Sequence, residues 1–123
     1  MANLVFSYRI KSFFNASHAI RWDSGIGQRH SHTWEVNCEF RSQQGQTVVF
    51  KDLEDKLNNI FQKFSGSFLN QLEYFQEINP TVENVAVWLY KLVTPAVETL
   101  KVRLIRLEVA ESPTRSYCIS VVD

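Results

Sequence analysis

The chain has 123 residues with 13 basic and 13 acidic side chains, so its formal net charge is zero. No run of five like charges occurs, which excludes the electrostatic footprint of a nucleic-acid or anionic-membrane binder. Apolar residues make up 45%, with nine phenylalanines against four glycines and three prolines, a balance that excludes disorder and predicts one domain, residues 1–123, with its own core.

Residues 4–18 read as an extended strand. Phe6, Tyr8 and Ile10 share parity with Phe14, Ala16 and His18, against Ser7, Arg9 and Lys11, the two-residue period of a half-buried strand. Residues 19–29 hold Asp23, Ser24, Gly25 and Gly27 and read as a loop. A second strand runs from His30 to Ser42, where Trp34, Val36, Cys38 and Phe40 alternate with Thr33, Glu35, Asn37 and Glu39. Residues 43–46 form a turn.

Phe50, Leu53, Leu57, Ile60, Phe61 and Phe64 recur at helical spacing, predicting an amphipathic helix over 49–64. Residues 65–79 are mixed and read as a long loop. Pro80 and Thr81 open a second helix, with Thr81 as N-cap and Glu83 in the first turn. Its apolar stripe is Val85, Trp88, Leu89 and Leu92, and Pro95 lies near its end. Residues 101–110 make a third strand, residues 111–114 a turn, and residues 117–122 a last strand. The order β-β-α-α-β-β predicts an α+β fold, a four-stranded antiparallel sheet with both helices on one face.

The two cysteines, Cys38 and Cys118, sit in strand segments and make no disulfide framework. The N-terminal stretch lacks a continuous apolar segment and a small-residue cleavage site. No span reaches ~18 apolar residues. These features together place the expected protein in the cytoplasm with reduced thiols.

All three histidines, His18, His30 and His32, fall within fifteen residues. Positions i and i+2 of a strand face the same side, ~7 Å apart, so His30 and His32 can aim at one point. His18 joins them from the first strand if the two strands pair as a hairpin. Three neutral imidazoles suit Zn2+ at about 2.0–2.1 Å and leave a fourth position for water or substrate. Such an open site either acidifies a bound water or polarises a substrate oxygen. Cys38 lies ~20 Å from His32 along an extended strand and is not an expected ligand.

FFNASHAI, HSHTWEVNCEF, GQTVVFKDLEDKL, NPTVENVAVWL and IRLEVAESP, in this order from Leu4 to Tyr117, resemble the 6-pyruvoyltetrahydropterin synthase family, which includes the 6-carboxytetrahydropterin synthases. The resemblance implies the tunnelling fold, in which strands and helices assemble into trimeric barrels that stack as hexamers with sites between subunits. It implies zinc on His18, His30 and His32, and Glu111 as the residue that anchors a pterin through paired N–H bonds. Glu108 competes with Glu111 if the register is three residues off. Family substrates carry a triphosphate, for which Arg21 and Arg29 flank the loop, Arg29 being the expected contact. A homo-oligomer, trimer or hexamer, and a pterin or related heterocycle are the implied partners.

The proton-moving residues of that family are not matched. The base cysteine of the loop falls on Ile26, the Asp-His pair on Ser65 and Gly66, the aspartate before Phe50 on Val49, and the glycine between the histidines on Ser31. General acid–base groups are worth about 10²–10⁴-fold each. Asp23 is the nearest carboxylate in the loop and the candidate replacement. The resemblance therefore implies one of three things: a divergent carbon–oxygen lyase acting on dihydroneopterin triphosphate, a non-catalytic pterin- or purine-binding subunit, or a scaffold with a vestigial metal.

Overall fold

The structure is a computed structural model and describes residues 2–122. The long strands are β1 (Tyr8–His18), β4 (His30–Ser42), β6 (Val102–Ser112) and β7 (Arg115–Ser120), joined by the short pieces β2 (Arg21–Trp22), β3 (Gly25–Ile26) and β5 (Ser67–Phe68). The helices are α1 (Phe50–Gln62) and α2 (Val82–Val97). Sheet order is β5-β1-β4-β6-β7; the four long strands run antiparallel and β5 adds a short parallel edge to β1.

Both helices cover one sheet face, and the core lies between. Ile10, Phe14 and Ala16 of β1 meet Trp34, Val36, Cys38 and Phe40 of β4, as their alternation predicts. Leu53, Leu57 and Phe61 of α1 and Val85, Trp88 and Leu89 of α2 close the layer. Helical spacing at i, i+4 and i+8 puts the α1 set on one stripe, which is why a helix of mixed composition docks.

Four expectations are corrected. β1 begins at Tyr8, not at residue 4, and Phe6 is 76% exposed; Tyr8 already faces Phe40, near the end of β4, so little partner strand remains upstream. The loop 19–29 contains the two-stranded β2–β3 hairpin, with Arg21 opposite Ile26. The loop 65–79 is a packed segment, with β5 followed by 3-10 turns at Leu69–Gln71 and Glu73–Phe75 and with Leu69, Asn70 and Phe75 buried. Glu111 lies inside β6 rather than in a turn, and β7 starts at Arg115 and ends at Ser120.

The last correction has a geometric cause. Opposite β4, Phe40 pairs with Leu104 but Glu39 pairs with Arg106, so Ile105 is an extra residue. This β-bulge shifts the inward set from Val102 and Leu104 to Leu107 and Val109, all four buried. Glu111 continues the second set. The β6–β7 ladder has its own irregularity there, with Ala110 facing Ser116 and Ser112 facing Arg115.

At the head of α1, Val49 occupies the N-cap and makes no side-chain bond. Thr81 caps α2 as expected, its hydroxyl accepting from the Asn84 N–H at 3.2 Å. That helix passes Pro95 and ends at Val97.

Candidate metal centre

β1 and β4 pair in a register that sets His18 opposite His30 and Ala16 opposite His32. The three imidazoles therefore gather at one end of the hairpin, each ring within 5.0 Å of the other two, centroid to centroid. Trp34 forms the floor, its indole edge-on to His18 and His32. One nitrogen from each ring lies within 4.8 Å of the other two.

Backbone carbonyls orient two of the rings. His18 Nδ1 lies 2.7 Å from the Pro80 oxygen, and His30 Nδ1 lies 3.0 Å from the Gln28 oxygen. A carbonyl only accepts, so each Nδ1 carries the hydrogen and each Nε2 presents a lone pair. His32 Nε2 is buried without a hydrogen-bond partner among the described residues. The Nε2 atoms of His18 and His30 stand 2.9 Å apart. Lone pairs at that separation repel unless a positive charge sits beside them. Burial pushes both His18 and His32 below the ordinary imidazole value, so a proton is disfavoured as that charge. Neutral imidazoles with Nδ1 tied to carbonyls are the donor set that zinc takes.

Two asparagines lock the approach to His18. Asn70 donates to the Ala19 oxygen at 2.7 Å and accepts from the Ala19 N–H at 2.9 Å. Asn79 repeats the pattern on Arg21, at 3.0 and 2.9 Å. Each side-chain amide thus imitates a neighbouring strand. Asn84 in turn donates to the Asn79 oxygen at 2.8 Å, tying the head of α2 to the residue before Pro80. Local spacing gives Asn70 and Asn79 no such role, and Asn84 lies in the NPTVENVAVWL stretch.

Glu111 reaches the histidines. Its Oε2 lies 3.7 Å from His18 Nε2 and 3.8 Å from His32 Nε2. It also lines three cavities: one of about 610 Å³ with Phe13, His32 and Glu35, one of about 320 Å³ with His18, Trp22, His30 and Glu83, and a small one of about 170 Å³ with Val82, Arg115 and Ser116. Ligand sites are typically about 300–1,000 Å³. Glu83, assigned from the sequence only to the start of α2, faces the second cavity. Glu108 lies elsewhere, accepting from Ser116 and Cys118.

The other expected residues stand apart from these cavities. Arg29 donates from Nε to Ser17 Oγ at 3.0 Å and lies 4.2 Å over the Phe68 ring. Arg21 donates to the Ile78 and Asn70 oxygens. Asp23 is exposed at the β2–β3 turn. Ile26, 60% exposed, is on β3. Gly66 has a φ of +81° in the turn after α1, a conformation that resists any side chain.

The fold and this centre define an α+β protein with a three-histidine cluster that could hold a metal ion. The 6-pyruvoyl tetrahydropterin synthase family model matches residues 8–120, and the chain belongs to that family. Among solved structures it is similar to 6-pyruvoyl tetrahydropterin synthase from Caenorhabditis elegans, at 13% identity over 95% of this chain and 96% of that one, with a TM-score of 0.77. A catalytic-residue mutant of the Plasmodium vivax enzyme matches at 13% identity, 95% and 98% coverage and a TM-score of 0.73. An uncharacterized protein from Wolinella succinogenes matches at 15% identity, 94% and 99% coverage and a TM-score of 0.63. At these identities the likeness establishes the tunnelling fold. No curated protein matches the sequence.

Proposed function

We propose that the chain holds zinc on His18, His30 and His32 and binds a reduced pterin, such as dihydroneopterin triphosphate, beside it. The observation that carries this reading is the convergence of three ring nitrogens, two of the rings oriented by backbone carbonyls, at cavities that share a carboxylate. Zinc, when bound, supplies a Lewis acid for a ligand oxygen. Glu111 and Glu83 offer carboxylates to the N–H groups of the pterin edge, Glu111 being the anchor proposed from the family pattern. Trp22 adds an aromatic wall to the second cavity.

Ile26 and Gly66 bring no proton donor or acceptor, so turnover as a carbon–oxygen lyase rests on Asp23 or on the metal site alone. This favours a second reading, a pterin- or purine-binding subunit without turnover. A homo-oligomer, trimer or hexamer, accords with the sheet edges: β5 covers β1 only at Ala16 and Ser17, and β7 ends the sheet.

The test is zinc content together with calorimetry of dihydroneopterin triphosphate, with and without a chelator. We expect one zinc per chain and pterin binding that vanishes with the metal. Equal pterin binding by a His30→Ala/His32→Ala variant would overturn the proposal. Product formation against binding alone separates lyase from binding subunit.

A further inference from the structure

Glu111 brings its carboxylate close to two of the three converging histidines. Ligands of a tetrahedral zinc with bonds of about 2.0–2.1 Å lie roughly 3.3 Å from one another. The Glu111 Oε2 is already 3.7 Å from one histidine nitrogen and 3.8 Å from another. Among the described residues no hydrogen bond holds this carboxylate elsewhere. The bulge at Ile105 puts Glu111 on the same face of β6 as the buried Leu107 and Val109, where the imidazoles gather. The irregularity at Ala110–Ser112 falls on Glu111 itself, and bulges beside sites re-aim side chains in this way.

We infer that Glu111 is the fourth metal ligand of the ligand-free protein, closing the centre as three nitrogens and one oxygen. The inference rests on the zinc reading above and adds to it a resting state and a requirement on the ligand. Glu111 lines the two larger cavities, so a ligand entering either one meets it. Such a ligand must bring its own oxygen or nitrogen donor to replace the carboxylate. The same movement frees an anionic acceptor for the ligand's N–H groups. One side chain then guards the metal in the empty protein and receives the ligand in the occupied one. A negative ligand also reduces the charge of a half-buried divalent cation, which a water does not.

Cobalt substitution of the full chain tests this without any turnover. Azide binds an open cobalt position and shifts its visible bands. The wild-type spectrum is expected to resist azide, and Glu111→Gln to respond to it. Zinc affinity should fall roughly 10–100-fold in Glu111→Gln, the range seen when groups that support a metal site are removed. A wild-type spectrum that responds to azide overturns the inference and leaves the zinc reading intact; this arm needs no variant and holds even if Glu111→Gln fails to fold. Resistance to azide in both proteins also overturns it, because another group then closes the site. Absence of bound metal in the wild type sinks both readings together.

Discussion

Replacing Asn70 with alanine tests how the site is held. Asn70 is 7% exposed and Ala19 is 1% exposed, so water does not readily replace the lost amide. The variant orphans the N–H and the C=O of Ala19, now bonded at 2.9 and 2.7 Å. An unsatisfied buried polar group costs about 1–3 kcal/mol, so two of them cost roughly 2–6 kcal/mol, toward the lower end if a water enters the space left behind. Urea denaturation of the metal-free protein measures this directly. Because Ala19 follows His18, zinc affinity should weaken along with stability. Asn79→Ala, whose partner Arg21 is only half-buried, should cost about 1 kcal/mol. A loss below about 0.5 kcal/mol in Asn70→Ala, the size of an ordinary surface change, would refute the account of the clamp.

Val49→Asp supplies the missing cap of α1 and should stabilise the fold by about 1 kcal/mol; an unchanged urea midpoint would count against it. In the native protein a thiol reagent near neutral pH should label Cys118, which is exposed, and spare Cys38, whose thiol burial pushes up to about 12; unfolding should expose both. Burial holds His18 and His32 below their ordinary 6.5, so the unfolded chain takes up protons that the fold resists. Metal-free stability should therefore decline as pH falls from about 7.5 to 5.5, and a flat profile would refute this. Arg29→Ala removes a contact over Phe68 worth about 0.5–1 kcal/mol, and with its guanidinium bound to Ser17 it should change the affinities for phosphorylated and dephosphorylated pterins equally.

Much of the fold was legible because burial follows parity and spacing. The alternation through Trp34, Val36, Cys38 and Phe40 and the i, i+4 stripe of α1 have one physical cause each, and both appear as written. The histidine cluster was legible for the same reason, since i, i+2 in a strand and a hairpin partner leave little freedom. What lay hidden has no side-chain signature. The carbonyls of Pro80 and Gln28 that orient the rings belong to the backbone. Ile105, an ordinary strand residue, gives no sign of being a bulge, and so Glu111 read as part of a turn. The order of residues 65–79 depends on asparagines imitating strands from fifty or more positions away, a contact that local spacing does not encode. Gly66 is explained by its positive φ as much as by any lost chemistry.

The irregularity at Ile105 gives β6 something like a reading frame. Upstream of it Leu104 faces inward in one phase, and downstream Leu107, Val109 and Glu111 do so in the other. Deleting Ile105 would merge the phases and keep Glu111 turned toward the histidines. Deleting a residue between Leu107 and Glu111 would break the second phase and turn that carboxylate to the opposite face. The strand therefore has a tolerant position and an intolerant stretch only a few residues apart, distinguished by count rather than by chemistry.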